Sequence, residues 1–157
     1  MPTRSKPSAR APSQPKVDAR LLGTWKSDKR RTIRDWTWSK WTSRKKRKMV
    51  ESLFGKVRLT FTRTRAFSDI PDQGWRSSRR YVVLGVDDES VAIMEFGEPR
   101  IENEHKYWAE RVAIVKDYDS KPAITHIHFD ENHFWFSFGN GKHREFFRKT
   151  RRATSVT

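Results

Sequence analysis

The sequence predicts an all-β domain, an antiparallel up-and-down barrel of about eight strands with one helix between the first two. Three observations indicate this fold. Residues 56–65 alternate apolar and polar side chains, as a half-buried strand does. Residues 123–150 contain three strand-like segments separated by short turns, one of which is Asn140-Gly141. The apolar part of the chain also begins and ends with strand-like sequence, so its two ends can pair and close a barrel.

The first elements are a strand and a helix. Strand A is predicted over residues 21–36, and the helix over residues 40–54. Gly55 suits the position just after the helix end. The apolar residues of the helix recur at a spacing that places them on one face: Trp41, Met49, Val50, Leu53 and Phe54. Strands B to E are predicted over residues 56–65, 77–86, 91–96 and 106–116.

The last three strands, predicted over residues 123–129, 133–138 and 142–150, form a meander. Asn140-Gly141 suits a two-residue type I′ turn, which pairs Phe136 with Glu145. A three-residue turn over residues 130–132 is expected before it. One face then carries His126, His128, Phe134, Phe136, Phe138, Glu145 and Phe147. The other carries Ile127, Phe129, His133, Trp135, Arg144, Phe146 and Arg148, and the sequence does not indicate which face is interior.

The chain is organised as one domain between two polar ends. Residues 1–20 are rich in proline, serine and basic residues and are expected to be a disordered basic tail. The barrel domain covers residues 21–150, and residues 151–157 are expected to be a frayed end. Of the net charge of +15, the barrel segment contributes +9, from 27 basic and 18 acidic residues. Such a charge attracts nucleic acid or anionic lipid.

Several function classes are disfavoured. The chain has no cysteine, which excludes disulfides, thiolate metal sites and a cysteine nucleophile. Its mean hydropathy of −0.93 and short apolar runs argue against a membrane span. No apolar region follows the basic N-terminus, so we expect a cytoplasmic protein, although a transit peptide stays open. No enzyme motif is present, so no catalytic residue, metal or cofactor is predicted.

Two arginines are the first candidates for ligand binding. Arg63 and Arg65 continue the parity of Leu59 and Phe61, so a regular strand B would direct both guanidinium groups into the barrel. A buried arginine needs an anionic partner, which favours an acidic amphiphilic ligand. If the strand ends earlier, both arginines lie in water. The remaining candidates for the same site are His126, His128, Phe136 and Glu145.

His126 and His128 also have the alternate spacing used by strand-borne zinc ligands. A third ligand is needed, for which Glu145 is a candidate. The alternative is that both histidines are polar strand residues satisfied by their neighbours, and this interpretation is preferred.

The predicted helix contains a run of basic residues, Arg44, Lys45, Lys46, Arg47 and Lys48, which follows three tryptophans at positions 36, 38 and 41. Aromatic and basic side chains together are typical of single-stranded nucleic acid binding and of contact with membrane surfaces. The alternative is a lid helix whose tryptophans plug the barrel while its basic residues stay in water.

Both ends of the domain resemble a known superfamily. The segment Leu21-Leu22-Gly23-Thr24-Trp25-Lys26 is similar to the first strand of calycins, the lipocalins and fatty-acid-binding proteins. Residues 127–131 and 144–148 resemble the last strands of uncharacterised bacterial lipocalin-like proteins. The resemblance implies that Gly23, Trp25 and Arg148 close the barrel, with Arg148 packed over Trp25. The chain departs from it in lacking a clear Thr-Asp-Tyr motif, since Lys116-Asp117-Tyr118 is a poor substitute.

These observations favour non-catalytic binding of a small hydrophobic or acidic amphiphilic molecule inside a β-barrel. The first alternative is an accessory protein that binds nucleic acid or an anionic surface through the basic helix and tails. The second alternative is a barrel enzyme of unknown reaction.

Overall fold

The protein is an eight-stranded, closed antiparallel barrel in which each strand pairs with its neighbours in the sequence and the first pairs with the last. The computed structural model describes residues 16–101, 121–138 and 141–150. The strands are β1 Gly23–Ser27, β2 Arg58–Phe61, β3 Arg65–Ile70, β4 Trp75–Val86, β5 Ser90–Ile101, β6 Ala123–Asp130, β7 His133–Phe138 and β8 His143–Lys149. The predicted all-β barrel is therefore confirmed.

Two helices, rather than the one predicted, connect β1 to β2: α1 Lys29–Asp35 and α2 Arg44–Leu53. The prediction of a strand over residues 21–36 was wrong because β1 ends at Ser27. Asp28 caps α1, where its side chain accepts a hydrogen bond from the Arg31 N–H at 3.1 Å. The Thr32 hydroxyl accepts from the Phe146 N–H at 3.0 Å, which fastens α1 to β8.

The predicted strand B is in fact β2 and the beginning of β3, separated by a tight turn. The Thr62 N–H donates to the Arg65 carbonyl at 2.9 Å, and the Arg65 N–H donates to the Thr62 hydroxyl at 3.0 Å. The predicted strands C and D correspond to β4 and β5. A 3₁₀ turn over Pro71–Gln73 joins β3 to β4. The predicted strand E falls outside the described residues.

The barrel closes where β1 pairs with β8, with Lys26 opposite Arg148 and Trp25 opposite Lys149. The prediction that Arg148 packs over Trp25 was wrong by one residue. Arg148 is exposed on the outer face, whereas the Lys149 ammonium lies 5.2 Å from the centre of the Trp25 ring. Gly23 has a φ of 116°, and a Cβ there would lie 3.3 Å from Lys149 Cε, so this edge of the closure favours glycine.

Aromatic side chains fill one end of the barrel. The Trp25 indole N–H donates to the Leu21 carbonyl at 2.9 Å, and both side chains are buried. The Trp25 and Phe134 rings are 4.6 Å apart, and the Phe61 ring meets Tyr81 edge-on at 5.8 Å. This packing closes the end of the barrel at which β1 begins.

The last residues of the predicted tail belong to the fold. Asp18 is buried and forms an ion pair with Arg20 at 2.7 Å. Arg20 also donates to the carbonyls of Asp87 and Asp88 at 2.9 and 2.8 Å. The Arg20 side chain therefore holds the chain before β1 against the turn between β4 and β5. Residues 1–15 and 151–157 lie outside the described residues.

Helix α1 packs against β8, whereas the end of α2 lies at the opposite end of the barrel, where β1 ends and β2 begins. The Gly55 N–H, just after α2, donates to the Ser27 hydroxyl at 3.0 Å. Ile70 and Trp75, which pair at the turn between β3 and β4, lie at this same end. No helix in the described part of the chain combines the length and apolar character needed to cross a membrane.

Candidate functional site: the barrel cavity

A cavity of about 630 Å³ occupies the barrel between the aromatic core and the turn that joins β3 to β4. This volume falls within the range of small-molecule sites, about 300–1,000 Å³. Most of its wall is apolar, supplied by Leu59, Phe61, Ala66, Phe67, Ile70, Trp75, Ile93, Pro99, Ile127 and Phe136. The polar lining consists of Ser68, Ser77, Ser78, Arg79, Glu95 and Thr125.

Arg79 is the cationic residue of this lining and is only 8 % exposed. Its position on β4 lies opposite Ala66 of β3, a core residue, so both side chains point inward. Its Nε–H donates to the Gly97 carbonyl at 3.1 Å, and Nη2 donates to the Lys121 carbonyl at 2.9 Å. The guanidinium group is thereby fixed in the wall, beside the β4–β5 irregularity between Ser78 and Arg80.

The charge of Arg79 is only partly compensated by these bonds. A guanidinium group has five N–H donors, and the two carbonyls accept from two of its nitrogens. Among the described residues, no carboxylate forms an ion pair with Arg79. A buried cation in an apolar wall is costly unless an anion or further acceptors complete its shell. The cavity therefore offers a binding position for a ligand's acidic group.

The arginines that the sequence favoured do not point into the barrel. Arg63 lies exposed in the turn between β2 and β3. The turn also shifts the parity of β3, so Arg65 lies on the outer side, where its Nε–H donates to the Ser78 hydroxyl at 3.1 Å. Arg79, which was not among the predicted candidates, is the arginine that lines the cavity.

His126 and His128 lie on the outer face of the barrel, which corrects their predicted position beside Phe136. The turn between β6 and β7 has two residues rather than three, because Asp130 pairs directly with His133. This change of one residue turns the histidines to the opposite face. The His128 ring stacks on Trp135 at 4.0 Å.

The outer histidines have protein partners. His126 Nε2 lies 2.8 Å from the Ser90 hydroxyl oxygen. Burial lowers the pKa of His128, and the nearby charges of His126 and Arg144 add to that effect. In the described part of the chain, no group of three or more potential metal ligands is found.

Phe136 and Glu145 pair with each other, as the predicted register of their hairpin implied, and the structure shows that the face they share is the interior one. Phe136 lines the cavity. Glu145 accepts a hydrogen bond from the Ser27 hydroxyl at 2.8 Å and is not part of the cavity wall. Burial raises the pKa of the Glu145 carboxyl, and the Ser27 bond only partly offsets this.

The basic run from Arg44 to Lys48 lies on α2, away from the cavity lining. The tryptophans before it do not plug the cavity either, since Trp41 is 84 % exposed. Trp36 stacks on His143 at 4.0 Å, and Trp38 lies beneath the Arg47 guanidinium at 5.4 Å.

Comparisons with protein-family models, with curated proteins and with solved structures found no match to this chain. Membership of the calycin superfamily therefore stays a prediction from the sequence motifs around Trp25 and the last two strands.

Proposed function

We propose that this protein binds a small acidic amphiphile, such as a medium-chain carboxylate, in the barrel cavity without transforming it. The observation that carries the proposal is a cavity of about 630 Å³ whose wall is mostly apolar and contains one buried arginine, with Glu95 as the one carboxylate of the lining. The apolar part of the ligand would contact Phe61, Ile93 and Phe136. Its acidic group would accept hydrogen bonds from Arg79.

Both the contact of the ligand chain with the apolar wall and the contact of its acidic group with Arg79 are expected to favour binding. Each methylene group buried in the apolar wall contributes about 0.8 kcal/mol. A hydrogen bond to a charged group contributes about 1.5–3 kcal/mol, because the alternative leaves a buried charge short of partners. Since each 1.4 kcal/mol corresponds to about tenfold in affinity, a carboxylate is expected to bind about 10- to 100-fold more tightly than an alcohol of equal chain length.

Titration calorimetry with dodecanoate and dodecanol tests the proposal. The wild-type protein should prefer dodecanoate, and Arg79→Met should abolish this preference while leaving dodecanol affinity nearly unchanged. Arg79→Lys keeps the charge and should keep part of the preference. Arg63→Gln is the matched control, since Arg63 is exposed outside the cavity.

Circular dichroism of each variant shows that the barrel is intact, which matters because Arg79 also bonds two carbonyl groups. Equal affinities for the two compounds in the wild-type protein would overturn the role of Arg79. Failure of both compounds to bind would overturn the proposed function.

A further inference from the structure

Helix α2 turns its apolar side chains to solvent. Met49 is 57 % exposed and Leu53 is 61 % exposed, although a helix packed on a barrel ordinarily buries such residues. Being four residues apart, they lie on one face. No side chain of α2 is fully buried. Residues with partly buried side chains lie elsewhere on the helix, namely Arg47, Val50 and Glu51.

This orientation is fixed by contacts around the helix. The Ser43 hydroxyl caps the first turn by accepting from the Lys46 N–H at 3.2 Å. Just after the last turn, the buried Phe54 ring packs against Trp36 at 5.0 Å. The Arg47 guanidinium lies over the Trp38 ring at 5.4 Å. These contacts favour the observed rotation of α2, with Met49 and Leu53 facing outward.

The outward face is basic as well as apolar. Lys45 and Lys46 precede Met49 by one turn and are exposed, so their ammonium groups flank the apolar pair. The helix carries five basic residues and one acidic residue, Glu51, whose side chain is half-buried. Its exposed surface is therefore almost purely cationic around an apolar centre.

We infer that the surface formed by Trp41, Lys45, Lys46, Met49 and Leu53 docks on anionic lipid bilayers. A helix lying in the headgroup region needs a few apolar side chains to insert, an aromatic residue at the interface and cationic residues for the lipid charges. All three kinds of residue are exposed here: the apolar and cationic ones share one side of α2, and Trp41, which is 84 % exposed, comes three residues before the helix begins. Phosphate alone would explain the lysines but not the outward Met49 and Leu53, and this favours a bilayer over nucleic acid.

Vesicle flotation tests the inference with phosphatidylcholine vesicles, with and without phosphatidylglycerol, at about 50 mM and about 500 mM salt. The full chain should bind the anionic vesicles at low salt and lose most binding at high salt. The double variants Met49→Ser/Leu53→Ser and Lys45→Glu/Lys46→Glu should each weaken binding by about tenfold or more. No cavity ligand is involved, so the result is independent of the proposed function.

Two double variants serve as controls, because they make the same kinds of substitution at other exposed positions. Leu84→Ser/Val86→Ser removes two exposed apolar residues elsewhere on the barrel, and Lys29→Glu/Arg30→Glu reverses two exposed charges on α1. Both should bind vesicles like the wild type. Absence of binding to anionic vesicles at low salt would overturn the inference, as would unchanged binding by Met49→Ser/Leu53→Ser. Binding of single-stranded DNA without vesicle binding would assign the surface to nucleic acid and overturn it also.

Discussion

The Lys149 ammonium lies 5.2 Å from the centre of the Trp25 ring, at the pair of residues that joins the last strand of the barrel to the first. A cation over an indole face is attracted by the ring quadrupole, and Trp25 is otherwise enclosed, at 3 % exposure. Its N–H is satisfied by the Leu21 carbonyl. Trp25 therefore links the chain before β1, the core and the closing strand.

Trp25→Ala should destabilise the barrel by about 3–5 kcal/mol, because it leaves a cavity in the closed end. Trp41→Ala is the matched control and should change the free energy of unfolding by no more than about 0.5 kcal/mol, since Trp41 is exposed. Urea denaturation measures both. Similar small effects of the two substitutions would contradict the placement of Trp25 in the closure.

Ser77→Phe should block the cavity. Ser77 lines it from β4, so a phenyl ring there would occupy space that the ligand needs. Affinities for dodecanoate and dodecanol should fall together, by about tenfold or more, whereas Arg79→Met should affect only dodecanoate. Ser137→Phe places the same ring on the outer face of β7 and should change neither affinity. If Ser77→Phe binds like the wild type, the ligand site lies elsewhere.

Glu145→Gln should alter how stability depends on pH. Burial raises the pKa of the Glu145 carboxyl above 4.5, so the folded state holds its proton more tightly than the unfolded chain does. The wild type consequently loses stability as pH rises from 4.5 through the raised pKa. Glutamine still accepts from the Ser27 hydroxyl but cannot ionise. The stability of the variant relative to wild type should rise between about pH 4 and about pH 8, and a pH-independent difference would be inconsistent with the buried carboxyl.

Asp28→Ala should show the opposite trend. Burial acts to raise the pKa of Asp28, but hydrogen bonds from the Arg31 N–H and His133 outweigh it, so the pKa lies below 3.8. The ionised carboxylate therefore stabilises the fold above pH 3.8, and the wild type loses this stability as pH falls through the lowered pKa.

The loss of stability in Asp28→Ala should be about 0.5–2 kcal/mol at neutral pH and should shrink on acidification, as followed by urea denaturation. Ser43→Ala removes the cap of α2, which does not titrate, so its effect should not vary with pH. A loss in Asp28→Ala that persists unchanged at low pH would contradict the contribution of the carboxylate.

Local turn chemistry determined how far the sequence could predict the fold. The Asn140-Gly141 loop allows few geometries, and the predicted pairing of Phe136 with Glu145 is confirmed. The turn before it is less restrictive. Glu131 adopts a left-handed φ of 51° in a two-residue turn, although such a conformation is uncommon for glutamate. Because this turn is one residue shorter than predicted, His126 and His128 lie on the outer face of the barrel, opposite to the face of Phe136.

The early elements were harder to predict because their signals conflict. Thr32 and Ile33 are β-branched and suggest a continuing strand, yet Asp28 and contacts with β8 stabilise α1. The turn between β2 and β3 contains no glycine or proline. In place of glycine or proline, the Thr62 hydroxyl stabilises this turn by accepting a hydrogen bond from the Arg65 N–H.

The residue at the centre of the candidate site could not be identified from strand parity. Arg79 and Arg80 are adjacent, so either choice of inward face places one arginine in the barrel. The pairing of Arg79 with the core residue Ala66 decides between them, and that pairing depends on the position of the β2–β3 turn. The buried arginine is a consequence of tertiary structure.

A crystal structure with 12-bromododecanoate tests the central claim most directly, since the bromine atom can be located by its anomalous scattering. We predict a bromine position between the apolar walls of the cavity and a carboxylate within hydrogen-bonding distance of the Arg79 guanidinium. Bromine density confined to the outside of the barrel, or an interior filled by side chains, would contradict the claim.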